Sequence, residues 1–320
     1  MDRSKCKISI DNLDLIIVHY LTINYLTINY LTMLVHIKEL FKGEVRGRFA
    51  YPAFNTINLE MTQGIIEAAE QLDVPVILET SEGAIKYAGL ETIFELMASM
   101  AIKAKVPIAL HMDHGKDAEQ LKRGIELGYS SVMIDHSNQE LEQNIKDTKT
   151  MVEFAHKEGA WVQGEIGRIR GNEDWVSVSD RDSLLTTPEQ AESYWQATGV
   201  DSLACSVGTI HGIIKMNGGA RAHVDVDRIK NIAAKVPVPL VLHGASGVPD
   251  DVIAMAITNG ISIINIDTEL RIAFTSRLRK SLLEHPDEVD QRKYLAPAIE
   301  GVKLAAMKKL AAFKTINLFH

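Results

Sequence analysis

Cysteine is scarce in this sequence of 320 residues, which contains only Cys6 and Cys205. Two cysteines cannot form a disulfide framework, so a reducing compartment, the cytoplasm, is the expected location. The chain also has no Cys-x-x-Cys pair. Any metal site would therefore have to be built from histidine and carboxylate groups, which is more typical of catalytic than of structural sites.

An excess of basic residues is also missing. Lys and Arg number 34 against 42 Asp and Glu, which gives a formal net charge of −8, and the basic residues are scattered along the chain. This distribution gives no reason to expect a nucleic-acid partner. Apolar residues make up 46% and charged residues 24% of the chain, proportions that are ordinary for a soluble globular protein.

One segment lacks charge altogether, since residues 15–35 contain no Lys, Arg, Asp or Glu and include the repeat HYLTINYLTINYLTM (19–33). Its length would suffice to span a bilayer, but its histidine, asparagines and threonines disfavour burial in lipid. It also lacks the features of a signal peptide. We expect no membrane association and interpret residues 1–32 as an atypical extension before a working domain at 33–320. An ordered N-terminal strand or helix is the alternative.

From residue 33 onward, short apolar runs alternate with segments of helical periodicity. The runs that predict strands are Phe49–Phe54, Val76–Glu79, Ile108–His111, Ser131–Ile134, Trp161–Glu165, Ser202–Cys205, Leu240–His243 and Ile261–Ile266. The clearest amphipathic segments between them are 59–72, 117–127 and 141–159. Strands that alternate with helices predict a parallel sheet with helices outside it.

Glycine is missing where a dinucleotide-binding protein needs it, because no G-x-G-x-x-G follows the first run. This absence argues against a Rossmann fold. Eight strand–helix units favour a closed (β/α)8 TIM barrel instead. Extra C-terminal helices are predicted from Arg271 to Phe319. The last of them is amphipathic and could cover the barrel or bind a partner subunit, so a homodimer or homotetramer is expected.

Histidine occurs in three motifs near predicted strand ends: IALHMDH (108–114), SVGTIHG (206–212) and LVLHG (240–244). The carboxyl ends of barrel strands form one face, which carries the active site in essentially all characterised TIM-barrel enzymes. A single histidine at a strand end is more often structural. Three that converge from distant parts of the chain predict a zinc ion with an open coordination position.

Other polar residues are predicted at the same face of the barrel. They are Asn55, Ser81, Asp113, Asp135, Glu165, Ser246, Asn265, Asp267 and Thr268. A long polar segment, Gly167–Pro188, interrupts the strand–helix rhythm. Segments of this length in a compact barrel are usually lids or binding loops.

Five motifs in this order, HMDHG, GEIGRIRGNED, SVGTIHG, LVLHGASGVP and INIDTELR, resemble the zinc-dependent (class II) fructose-bisphosphate and tagatose-bisphosphate aldolases. The resemblance extends from about Met33 to Phe313. It implies a lyase that reversibly cleaves fructose 1,6-bisphosphate to dihydroxyacetone phosphate and glyceraldehyde 3-phosphate, using zinc. Tagatose 1,6-bisphosphate, which differs at one hydroxyl, is the alternative substrate. The Asp within INIDTELR looks more like the fructose branch.

The same resemblance implies a role for individual residues. Zinc would be held by His114, His211 and His243. Asp113 would be the acid/base at the C4 oxygen, and Glu173 the base that takes the proton from dihydroxyacetone phosphate. Two separately placed carboxylates suit this chemistry, because each can move a proton at its own carbon or oxygen atom.

The remaining implied roles concern the substrate and further ions. Gly244, Ser246, Asn265, Asp267 and Thr268 would bind the dihydroxyacetone phosphate half, Asn55 and Ser81 the other half, and Arg271 or Arg292 the second phosphate. Asp135 and Glu165 resemble groups that support the zinc ligands or hold a second metal ion. Gly212, Gly244 and Lys215 resemble a monovalent-cation region for Na⁺ or K⁺.

Two alternatives come from other classes of protein. A Schiff-base aldolase would need a lysine at a strand end inside the barrel, and none of the eight runs ends in one. A non-catalytic barrel that binds metal or sugar phosphate would have no need of Asp113 and Glu173. The sequence also departs from the family at His136, where relatives have a small residue, and at Arg170, where they have glycine. These changes bear on loop closure and rate.

Overall fold

The computed structural model describes residues 32–167, 185–209 and 224–313, and the backbone alone of the short segments 170–173, 176–178 and 210–211. Several predictions therefore lie outside the described residues. They concern the extension at 1–31, the residues Gly212 and Lys215, and the side chains of Arg170, Glu173 and His211.

The strands of the described chain are numbered from the N-terminus. They are β1 (Tyr51–Asn55), β2 (Val76–Ser81), β3 (Ile108–Gly115), β4 (Ser131–Ile134), β5 (Trp161–Ile166), β6 (Arg170–Glu173), β7 (Val176–Val178), β8 (Ser202–Cys205), β9 (Ile210–His211), β10 (Leu240–Leu242) and β11 (Ile261–Ile266).

The helices follow the same convention. After a short 3-10 helix at Ile37–Phe41 come α1 (Leu59–Leu72), α2 (Glu82–Ala88), α3 (Leu90–Lys103), α4 (Ala118–Leu127), α5 (Leu141–Lys157), α6 (Pro188–Thr198), α7 (Val226–Lys235), α8 (Asp250–Thr258), α9 (Thr268–Glu284) and α10 (Gln291–Ala312). Among the described helices, none is long and apolar enough to cross a membrane.

Eight of the strands form a closed parallel barrel in the order β1-β11-β10-β8-β5-β4-β3-β2. The predicted (β/α)8 barrel is therefore confirmed, and the strands at 131–134, 202–205 and 261–266 have the predicted bounds. The largest difference is in β3, which continues to Gly115 rather than ending at His111. The apolar run ends early because polar residues, the buried His111 and Asp113 and the partly buried His114, continue the strand.

The interior of the barrel is apolar at its N-terminal end. Small and branched side chains fill this end, namely Ala53, Ile77, Ala109, Ala204, Val241 and Ile263. The 3-10 helix closes it from below, since Ile37 and Leu40 belong to the same buried cluster. The predicted polar residues lie instead toward the carboxyl ends of the strands, where barrel enzymes carry their active sites.

The C-terminal helix α10 packs closely on α1. A Cβ atom at Gly64 in α1 would lie 2.7 Å from the carbonyl oxygen of Ile299 and 2.9 Å from Cβ of Val302 in α10. The absence of a side chain at Gly64 therefore lets the two helix backbones approach each other. Of the two roles predicted for the closing helix, covering the barrel is the one that the fold displays.

The segment SVGTIHG differs from its interpretation as a barrel strand that ends in histidine. The barrel strand β8 ends at Cys205, and Ile210–His211 forms the separate strand β9. This strand pairs in parallel with β6, whose other neighbour is β7 in an antiparallel pair. The polar segment 167–188, predicted as a loop, thus contributes two strands to a small sheet. Short polar strands such as RGNE have no apolar alternation, so the sequence pattern did not reveal them.

Candidate metal centre and active site

Two histidines from distant strands meet at the carboxyl end of the barrel. His114 is the next-to-last residue of β3, and His243 directly follows β10. Their rings are edge to face with centroids 4.6 Å apart, and Nε2 of His114 is 2.9 Å from Nδ1 of His243. The predicted convergence of these two histidines is therefore present in the structure.

The backbone at His114 is what turns its side chain toward His243. Successive side chains of a regular strand point to opposite faces, and Asp113 already points into the barrel. His114 escapes this alternation because its φ is +51°, and the register between β3 and β4 shifts between Met112 and Gly115. A non-glycine residue in the left-handed backbone conformation costs on the order of 1–2 kcal/mol. At a bulge this conformation changes the direction of the side chain. Asp113 and His114 can thus face one site although they are adjacent.

The tautomer of His114 follows from its second contact. Its Nδ1 is 3.0 Å from Oδ2 of Asp135. Burial alone would raise the pKa of Asp135, but the hydrogen bonds from His114 and Ser137 outweigh burial and hold it well below its ordinary value. An ionised carboxylate can only accept, so Nδ1 of His114 carries the hydrogen. Nε2 is left to face His243.

The ring of His243 is oriented in the same way. Its Nε2 is 2.8 Å from Oε1 of Gln163, which can only accept, so this nitrogen carries the hydrogen and Nδ1 does not. The lone pairs of His114 Nε2 and His243 Nδ1 then face each other across 2.9 Å. Two acceptors at this distance are stable only when a cation, either a proton or a metal ion, lies between them.

The surrounding charge favours such a cation. Burial lowers the pKa of His114, but the nearby carboxylates, first Asp113 and then Asp135 and Glu165, raise it well above its ordinary value. A proton on Nε2 of His114 would occupy the space between the two rings when no metal ion is bound. The same carboxylates would stabilise a divalent ion in place of that proton.

Possible ligand atoms are grouped densely enough to hold a metal ion. Three sets have ligand atoms within 4.8 Å of one another: Asp113, His114 and His243; His114, Asp135 and Glu165; and Glu79, His111 and Asp113. Imidazole with a few carboxylates suits zinc and similar divalent transition metals. The described residues therefore fit such an ion. The part predicted for His211 is not tested, since only its backbone is described.

Asp113 is held in a fixed orientation beside the two histidines. It is 3% exposed, and both of its oxygens accept amide hydrogens, from Asn55 at 2.8 Å and from Asn265 at 3.3 Å. The amide oxygens Oδ1 of Asn55 and Asn265 are buried and have no hydrogen-bond partner among the residues that the structure describes. Buried acceptors of this kind are costly unless a ligand donates to them. A polyhydroxy compound beside Asp113 could supply those hydrogens.

The loop after β10 and the start of α9 supply the predicted phosphate side. Gly244 has a φ of +60° and Gly247 of +75°, conformations that favour glycine, and Ser246 between them is buried. Asp267 is buried just before α9 and accepts a hydrogen bond from Arg271 at 2.7 Å, and Thr268 is the first residue of that helix. The guanidinium of Arg271 is thus partly engaged within the protein.

Two predicted substrate contacts have other partners in this structure. The hydroxyl oxygen of Ser81 accepts a hydrogen bond from the backbone N–H of Ala84 and caps α2. In the sheet, Ser81 of β2 is the partner of Asp113 of β3. Arg292, the alternative to Arg271, is 90% exposed and paired with Asp290.

Polar residues deeper in the barrel were missed or left unassigned by the sequence. His111, within the motif IALHMDH, is buried, and its Nδ1 is 2.8 Å from Oγ of Ser131. Glu79 and Gln163 were not recognised. Gln163 lies two residues before Glu165 on the same strand, so the period-2 alternation would have found it. His136, where this sequence departs from the family, has its Nδ1 2.8 Å from Oδ2 of Asp147.

The buried His111 should make the stability of the metal-free protein sensitive to acid. Burial lowers its pKa to about 3, against roughly 6.5 when unfolded. Between these values the unfolded chain binds the extra proton, so stability falls as pH falls, by up to about 1.4 kcal/mol per pH unit. Denaturant unfolding at several pH values should give His111→Gln a smaller acid slope than the wild type. Equal slopes would contradict this assignment; His285→Gln, at an exposed position, is the control.

Comparisons with known proteins agree with this geometry. The model of the family described as "Fructose-bisphosphate aldolase class-II" matches residues 35–317. A fructose-bisphosphate aldolase of Thermus caldophilus is 41% identical over 306 residues, which cover 89% of this chain and 99% of that relative. The crystal structure of the YdjI aldolase from Escherichia coli K12 is 34% identical with a TM-score of 0.73, covering 84% of this chain and 92% of that one.

A fructose-bisphosphate aldolase of Campylobacter jejuni has the same fold, with 23% identity, a TM-score of 0.71, and coverage of 84% of this chain and 91% of that one. The fold and these matches define a TIM-barrel aldolase, which is a lyase. The chain belongs to the class II fructose-bisphosphate aldolase family. Aldolases of this class depend on a metal ion and act on sugar phosphates.

Proposed function

We propose that this protein cleaves fructose 1,6-bisphosphate reversibly to dihydroxyacetone phosphate and glyceraldehyde 3-phosphate with zinc as its metal, as in glycolysis and gluconeogenesis. The observation that carries the proposal is the pair of ring nitrogens of His114 and His243, 2.9 Å apart beside Asp113. With His211 as the third ligand, three neutral imidazoles would leave the charge of the ion intact.

Zinc, when bound, would polarise the ketone and stabilise the negative charge that cleavage of the carbon–carbon bond leaves on the three-carbon ketone half. The chain must supply the proton transfers. In the cleavage direction Asp113 would take the proton from the C4 hydroxyl as the C3–C4 bond breaks and the aldehyde leaves. Glu173 would then deliver a proton to C3 of the remaining half. In condensation both transfers run in reverse.

Other residues would position the substrate. The glycine conformations of Gly244 and Gly247 allow the loop that leads to α8 to turn tightly, so that its backbone would lie close to a bound phosphate. The unpartnered amide oxygens of Asn55 and Asn265 would accept from substrate hydroxyls on either side of Asp113. The resemblance alone supports a monovalent cation near Gly212 and Lys215. It also supports a second metal position at Asp135 and Glu165.

A coupled assay with fructose 1,6-bisphosphate and tagatose 1,6-bisphosphate tests the substrate. We expect a higher kcat/KM for the fructose compound, since Asp267 is present in the motif INIDTELR. The C4 hydroxyl whose configuration separates the two sugars is the group that Asp113 would contact. A strong preference for tagatose 1,6-bisphosphate would overturn the choice of substrate, while leaving the aldolase reaction in place.

The assembly and its boundaries are part of the same proposal. We infer a cytoplasmic homodimer or homotetramer whose catalytic domain spans 33–320, with residues 1–32 as an extension. Leu283 near the end of α9 and Val289 between α9 and α10 are each 82% exposed, and a partner subunit could cover these apolar groups. Light scattering of the purified chain gives the subunit number, and a monomer would contradict this part.

A further inference from the structure

Gln163 connects two histidines inside the barrel, and it is not among the proposed metal ligands or catalytic residues. Its side chain, on β5, is 1% exposed. The amide oxygen Oε1 is 2.8 Å from Nε2 of His243, and the amide nitrogen is 3.4 Å from Nε2 of His111. The other ring nitrogen of His111 is 2.8 Å from Oγ of Ser131. Four side chains thus form one continuous chain of hydrogen bonds.

The hydrogen bonds of this chain all run in one direction. The amide oxygen accepts from His243, so Nε2 of that ring carries the hydrogen. The amide nitrogen donates to Nε2 of His111, so that ring carries its hydrogen on Nδ1 and donates to Ser131. Each ring is therefore confined to a single tautomer by its neighbours.

The direction matters for metal binding. With the hydrogen on Nε2 of His243, the lone pair of Nδ1 faces Nε2 of His114, 2.9 Å away. The reverse direction would place a hydrogen on Nδ1, pointing at His114, and would close this position to a metal ion. The outer partners of ligating histidines commonly select the tautomer in this way.

We propose that Gln163 is a positioning residue that holds His243 in the Nε2–H tautomer, so that Nδ1 is available to a divalent ion before the ion arrives. The inference rests on the proposed role of His114 and His243 as metal ligands. An amide suits this place because it accepts from one ring and donates to the other. A carboxylate can only accept, and an apolar side chain can do neither.

Titration of the metal-free full chain with Co²⁺, followed by its visible absorption, tests the proposal. We expect Gln163→Leu, which is similar in size but cannot hydrogen-bond, to weaken Co²⁺ binding by about 10–100-fold. Gln163→Glu keeps an acceptor toward His243 and should retain the affinity of the wild type. The matched control is Thr80→Val, because Thr80 is equally buried and loses only a hydrogen bond to Tyr129.

The tautomer itself can be read by nitrogen NMR of the metal-free protein labelled with ¹⁵N-histidine, with His243 assigned from its absence in His243→Asn. We expect the Nε2–H form in the wild type and a loss of that preference in Gln163→Leu. The Nδ1–H form in the wild type would overturn the inference, even if Gln163→Leu fails to fold.

The proposed metal centre and the proposed role of Gln163 are contradicted by different results. A wild-type protein that binds no Co²⁺ would overturn the proposed metal centre. If Gln163→Leu binds Co²⁺ as tightly as the wild type, only the role of Gln163 is overturned. The same holds if Thr80→Val loses as much Co²⁺ affinity as Gln163→Leu.

Discussion

Replacement of Asp113 by alanine should lower the turnover of fructose 1,6-bisphosphate cleavage by about 10²–10⁴-fold, the usual contribution of one general acid/base group. The carboxylate is buried and oriented by Asn55 and Asn265. Its Oδ1 lies 3.7 Å from Nε2 of His114, so the proposed base is next to a proposed metal ligand. Alanine would remove the group proposed to take the C4 proton and would leave both histidines in place.

The measurement is kcat with saturating substrate, together with zinc content and thermal unfolding of the same preparations. Asp287→Ala, which removes an exposed carboxylate between α9 and α10, should behave as the wild type. Unchanged turnover in Asp113→Ala would remove the catalytic role and favour a barrel that only binds its ligands. Loss of zinc in proportion to activity would instead make Asp113 a support for the ligand His114.

Removal of the metal should abolish cleavage, and zinc should restore it. Without the ion nothing polarises the ketone, and polarisation by a metal is worth several kcal/mol, or on the order of 10³-fold or more in rate. Chelation by EDTA followed by metal analysis and assay gives the result. Co²⁺ should also restore activity, whereas Mg²⁺ should not, because Mg²⁺ prefers oxygen ligands to imidazole.

Borohydride is the matched test of the other mechanism. A Schiff base between substrate and lysine would be reduced to a permanent adduct, which intact-mass measurement would detect. We expect no adduct and no loss of activity when the zinc-loaded protein is treated with borohydride and substrate. Full activity in a preparation free of metal, or a covalent adduct with the substrate, would contradict the assigned chemistry.

The sequence by itself determined the barrel and the end at which its polar residues meet. Apolar runs such as Ile261–Ile266 and amphipathic segments such as Leu59–Leu72 have the structural bounds that their periodicity predicted. In these elements the buried face follows from spacing along the chain. The approximate grouping of Asp113, His114 and His243 then follows from the parallel order of the strands.

Only the tertiary structure decided how these residues face one another. His114 reaches His243 because a bulge gives it a φ of +51°, which depends on the register between neighbouring strands. Gln163 acquires its role because His243 and His111 lie on either side of it, although they are 80 and 52 residues away in the chain. Local patterns contain no information about partners at such separations, because hydrogen bonds across a barrel exist only after the barrel has closed.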